Sequence, residues 1–210
     1  PPMNMPRFES SPLLYARLAG VLYLAIIGLG MFGELYVRGA LVHGGDPAAT
    51  AAAITAAPWL WRAGIVGDLL MQVLDVPVIV VFYLLLRPVG AGLALFATLI
   101  NLVQTAVLAT NKLTLLAPLI LLRDGTTLAA LDPAQRQALA YAAIGLHDYG
   151  FAIGLVFFGF ACLATGWLMF TSRFLPRALG VLMLAAGISY LVNSFALILA
   201  PAFAAAIFPA

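Results

Sequence analysis

Three neighbouring residues, His147, Asp148 and Tyr149, carry the side chains best suited to moving a proton. On a helix, an imidazole and a carboxylate at successive positions point about 100° apart. They can do general acid/base work on a group held between them, or supply ligands together with Glu34 and Asp68. His147, Asp148, Asp68 and Glu34 are therefore the candidate catalytic residues. Arg38, Arg62 and Lys112 have the charge and the donors to hold a phosphate or carboxylate. Gln72, Asp75, Gln104, Asn111, Tyr149 and Asn193 are suited to lining a site and orienting a ligand. A plainer reading of the same residues is a hydrogen-bonded core histidine and a set of interhelical ion pairs that fix the packing. In that reading, equal depth makes Lys112 and Asp148 the expected pair. No HExxH or CxxC occurs, and the other histidine, His43, falls in an expected outer loop. The residues thus assign no metal site and identify no cofactor.

The elements that carry these residues are membrane helices. Of 210 residues, 64% are apolar and 9% charged, against about 45–50% and 25% in a soluble domain. Mean hydropathy is +1.09. Too little polar surface exists to wrap a water-facing globule. One cysteine, Cys162, excludes an internal disulfide, and a net charge of +2 implies no nucleic-acid partner. A spanning helix needs about 20 mostly apolar residues. Five stretches qualify: 13–37, 59–86, 88–122, 133–170 and 177–200. None alternates polar and apolar residues as a barrel strand would. The expected fold is a single all-α membrane bundle of five spans, six if a further one follows. Asp132 and Pro133 read as a helix cap and first turn. Segments 47–57 and 201–210 are expected to form a small cap on the outer side.

Arginine placement sets the direction. Arg7, Arg17, Arg87, Arg173 and Arg177 fall on one side, taken as the cytoplasm, with the N-terminus there. Arg38, Arg123 and Arg136 fall on the other. Three spans begin Arg-x-x-Gly, at Arg17, Arg87 and Arg177. Counting from these at about 1.5 Å per residue puts Glu34, Gln104 and Ser194 about 25 Å above the inner mouths. Lys112, Arg62 and His147 come out higher still. The inner halves are nearly free of ionisable groups. Polar stripes on separate spans are expected to converge on one cavity open to the outer side, because unpaired polar groups in lipid are costly. A transporter ranks below the other readings, since it needs polar groups along its whole route. Gly28-Leu-Gly30-Met-Phe-Gly33 matches GxGxxG but follows no strand. With Gly150 and Gly154, it reads as close helix packing.

Five stretches together resemble one family: ARLAGVLYL, GELYVRG, WRAGIVGDLLMQVLDV, HDYGFAIGLVFFGFACLATGWL and FLPRALGVLMLAAGISYLVNSFA. They are similar to small bacterial multi-pass membrane proteins grouped as domain of unknown function DUF4386. The resemblance implies an integral protein of the bacterial inner membrane and no activity. Two functions stand open. One is a polar pocket in the outer half that binds or processes a lipophilic or amphipathic molecule, with membrane lipids as its surroundings. The other is an accessory or scaffold subunit of a larger membrane complex, with the polar residues as packing glue.

Overall fold

The computed structural model describes residues 12–123 and 130–203. Among these residues the chain is all-α, without strands. Helix α1 (Pro12–Met31) continues through a π-helical stretch (Phe32–Arg38) into α2 (Gly39–Leu41). A short α3 (Pro47–Ala56) follows, then α4 (Pro58–Leu86), α5 (Ala91–Leu121), α6 (Pro133–Thr171) and α7 (Arg177–Leu199). Five stretches are long and apolar enough to cross a membrane: Arg17–Leu41, Pro58–Leu86, Ala91–Leu121, Pro133–Thr171 and Arg177–Leu199. The chain is a multi-pass membrane protein. Its first span runs past Val37 to Leu41, beyond the end expected from hydropathy.

Local chemistry sets the helix ends. Asp46 caps α3 by accepting from the Ala49 N–H, with Pro47 in the first turn. Asp132 and Gln135 form a reciprocal box at the start of α6: Asp132 Oδ1 accepts from Gln135 N–H at 2.8 Å, and Gln135 Oε1 accepts from Asp132 N–H at 3.0 Å. Pro77 and Pro118 lie inside α4 and α5, and neither ends its helix. At 39 residues, α6 is about 58 Å long, well beyond a ~30 Å hydrocarbon layer.

The residues group into two compact units. The first comprises Pro1–Ala25, Val73–Thr105 and Ala152–Ala210. Its helices α6 and α7 meet through glycines. A Cβ on Gly180 would strike the Phe170 backbone, and one on Gly187 would lie 2.8 Å from the Gly159 carbonyl oxygen. Gly166 is equally close to the Leu184 backbone. These four glycines, not those of the GxGxxG match, bring helix backbones together. The Arg-x-x-Gly starts are not equivalent. Gly20 has open space around it, Gly90 meets the end of Leu168, and Gly180 meets backbone.

The second unit comprises Ile26–Gln72 and Ala106–Phe151. Its apolar core joins Val37, Leu41, Ile54, Trp61, Ile65, Leu115 and Ile144. The buried Trp61 indole donates to the Leu115 carbonyl at 2.8 Å, which satisfies its one polar atom. Segment 47–57, expected as part of a cap, forms α3 and buries Ile54 in this core. The loop before it is tied down by Gly45, whose N–H donates to the Tyr141 hydroxyl at 2.7 Å. Gly45 has φ +76°, a conformation that favours glycine. Of the expected tail segment, residues 204–210 lie outside the described residues, as does Arg7.

Candidate functional site

The charged residues of the second unit assemble around Asp68. On α4, the residues Trp61, Gly64, Ile65, Asp68 and Gln72 are buried, at spacings that define one helix face. That face carries the Asp68 side chain inward, 1% exposed. Its Oδ2 accepts from Arg38 Nη1 at 2.8 Å and from Lys112 Nζ at 2.9 Å. Arg38 also reaches Glu34 Oε2 at 2.8 Å. The side chains of Arg38 and Lys112 are 12% and 4% exposed, whereas Glu34 is 65% exposed.

The local backbone makes room for this cluster. Glu34 and Arg38 both lie in the π-helical stretch. Gly33 in the same stretch faces Asp68, and a Cβ there would collide with the carboxylate Oδ1. Gly150 plays the matching part on α6, where a Cβ would collide with the Asn111 amide. The sequence reading assigns Gly33 and Gly150 to helix packing. In the structure each admits a polar side chain to a helix surface instead.

His147 is buried and held by Asn111. The Asn111 amide nitrogen donates to the His147 carbonyl at 2.8 Å and lies 2.9 Å from the ring Nδ1. With both amide hydrogens so used, Nδ1 is the acceptor and the ring proton sits on Nε2. Nε2 faces Lys112 Nζ at 3.5 Å. The expected Lys112–Asp148 pair is not formed, and Lys112 pairs with Asp68. The reason is azimuth. His147 occupies the buried face of α6, and Asp148, one position on, turns out to the exposed side with Tyr149. Arg62 likewise leaves the buried face of α4, and its guanidinium lies 5.6 Å from the Trp59 ring centroid. Gln72 is buried on the Asp68 face.

The remaining candidates, Asp75, Gln104 and Asn193, belong to the first unit. Asp75 Oδ2 accepts from the Thr105 hydroxyl at 2.7 Å, a partner not singled out from sequence. Gln104 is buried, and its Oε1 has no hydrogen-bond partner. Asn193 is half-buried, and the adjacent Ser194 is fully enclosed with its Oγ unpartnered. The sequence reading gathers all candidates at one site, whereas the structure divides them between the two units.

Among the described residues, no three His, Cys, Asp or Glu side chains group as a metal site. The arrangement around Asp68 is instead suited to holding an anion. Two cations and the Nε2–H of a neutral imidazole converge there, with one buried carboxylate among them.

A family model described as Domain of unknown function (DUF4386) matches residues 18–210. An uncharacterized protein of Archaeoglobus fulgidus is similar, at 29% identity over 129 residues, which cover 61% of this chain and 64% of that protein. The chain thus spans less than two thirds of that relative's length. No solved structure matches.

Proposed function

The chain belongs to the DUF4386 family, a domain of unknown function, and from the geometry around Asp68 we propose that it binds an amphipathic membrane molecule by an anionic phosphate or carboxylate head. The observation that carries this reading is a charge count. Arg38 and Lys112 are buried, and Asp68 is the one buried carboxylate they share. The second negative charge, Glu34, is mostly exposed and holds Arg38 from outside. A buried excess of positive charge is costly in an apolar span. An anionic head that displaces Glu34 neutralises it. Its oxygen also resolves the facing donors Lys112 Nζ and His147 Nε2–H, by accepting from both. Asn111 fixes the ring proton, and Asp68 holds the two cations apart and oriented. Binding is favoured over processing, because His147 Nδ1 is occupied by Asn111. Asp148, Tyr149 and Arg62 then flank the site from the exposed side. The arginine distribution supports an inner-membrane orientation with the N-terminus in the cytoplasm and this cluster toward the outer leaflet. Labelling of a cysteine placed at Gly44 from the outside alone is the expected result.

One observation favours the second reading, a subunit whose polar residues are packing glue: each of Arg38, Asp68 and Lys112 has an ionic partner. Glu34→Gln separates the two. Protein in mild detergent is mixed with dioleoyl phosphatidylglycerol or dioleoyl phosphatidylcholine, and retained lipid is counted by native mass spectrometry. In the binding reading Glu34 competes with the head, so Glu34→Gln retains more phosphatidylglycerol and Lys112→Met retains less, with phosphatidylcholine unchanged. In the glue reading both variants lower stability and neither alters the preference. Equal retention of the two lipids by the unaltered protein overturns the binding reading.

A further inference from the structure

The first unit holds a second place for a ligand, of different chemistry, and it is independent of the charged cluster. An apolar groove of about 700 Å³ runs along residues of α1, α4, α6 and α7, including Gly20, Leu85, Leu179 and Leu182. That volume lies within the range of small-molecule sites. The groove shares Tyr23, Phe82, Phe158, Cys162 and Met183 with a smaller cavity of about 30 Å³. The smaller cavity is lined by Thr98 and Asn101. Asn101 Oδ1 is buried and has no hydrogen-bond partner. The neighbouring Thr98 hydroxyl cannot serve it, since it donates to the Ala94 carbonyl at 2.9 Å. A buried carbonyl oxygen without a donor is costly and uncommon, and it marks a place where a partner is missing.

The shape and charge of these two spaces define that partner. None of the described residues lining either space is charged, so nothing there neutralises a phosphate, carboxylate or ammonium head. A cavity of about 30 Å³ admits one water-sized group and no more. A hydroxyl is of that size, and it can donate to an amide oxygen or accept from an amide nitrogen. The adjoining groove is walled by hydrocarbon and aromatic side chains. We propose that the Asn101 cavity and the groove beside it bind a neutral single-chain amphiphile with a hydroxyl head, the hydroxyl donating to Asn101 Oδ1 and the hydrocarbon chain lying against Gly20, Phe82 and Leu182.

The test is photolabelling with a diazirine-tagged long-chain alcohol. The full-length protein is placed in phosphatidylcholine nanodiscs and irradiated, and labelled peptides are mapped by mass spectrometry. Label is expected on the peptides that carry Tyr23, Phe82 and Met183, and excess oleyl alcohol removes it while oleate does not. Asn101→Leu removes the acceptor and fills the cavity, and it should raise the competing alcohol concentration about tenfold. Gly20→Leu projects into the groove from a position with nothing within 4 Å of an added Cβ. It should abolish the label while leaving the protein's thermal stability intact, which separates blocked binding from misfolding. Equal labelling of the unaltered protein and Asn101→Leu means that a water satisfies Asn101, and overturns the proposal. Label spread evenly over all lipid-facing helices overturns it too, as does competition by oleate equal to that by the alcohol. None of these outcomes depends on phosphatidylglycerol retention at Asp68.

Discussion

The two units handle buried polarity in opposite ways. In the second, strong charges come together and satisfy one another: Arg38 and Lys112 share Asp68, and Asn111 occupies His147. In the first, the buried polar atoms are neutral, and Asn101 Oδ1, Gln104 Oε1 and Ser194 Oγ have no hydrogen-bond partner. Packing differs likewise. Glycines of the first unit let backbones touch at Gly159–Gly187 and Gly166–Gly180, whereas Gly33 and Gly150 of the second admit side chains. Charge in an apolar span must be cancelled for the fold to survive, so it carries its partners with it. A neutral carbonyl or hydroxyl costs less to leave open, and it can wait for a ligand.

The strongest way to break this contrast is at Asp68. Asp68→Leu leaves Arg38 and Lys112 without their shared carboxylate, and a loss of about 3–5 kcal/mol is expected in reversible unfolding in detergent. Adding Lys112→Met should recover part of it, and recovery of none would mean that the pair does not act as a unit. Next comes the glycine seam of the first unit. Gly180→Ala should cost about 1–3 kcal/mol through overpacking against the Phe170 backbone. The same change at Gly20, where an added Cβ meets nothing within 4 Å, should gain up to about 1 kcal/mol from helix propensity. Asn111→Leu removes both hydrogen bonds to His147 and should cost about 1–3 kcal/mol. It also frees Nδ1, visible as a change in imidazole tautomer by nitrogen NMR. The smallest effect is expected at Arg62. Arg62→Gln removes an exposed cation over Trp59 and should cost no more than about 1 kcal/mol in the same unfolding assay.

Hydropathy alone made the five spans legible, because a bilayer imposes length and apolarity on every helix that crosses it. The Asp132–Pro133 start was legible for a similar reason, since capping is local chemistry. The Glu34–Arg38 pair followed from a spacing of four residues. Other features needed the third dimension. Counting residues along a helix gives depth and not azimuth, so Lys112 and Asp148 seemed matched although they face different ways. Nothing in Gly33 or Gly150 as letters distinguishes a glycine that admits a carboxylate or an amide from one that admits a backbone. The π-helical stretch has no residue pattern of its own. Asn101 was visible as one polar residue on a stripe, but its missing partner is a property of the enclosing helices.

The π-helical stretch Phe32–Arg38 works as a phase shifter. Its bonds close one residue later than those of an α-helix, so it inserts an extra step into the screw of the first span. Deleting any one residue between Phe32 and Val37 would let the screw run true again. The consequence would not stay local: everything upstream would be rotated by about 100° against everything downstream, so that Tyr23 and Arg38, each correctly wound, could no longer both find their places. A single lost codon here would therefore act as a twist of the whole span.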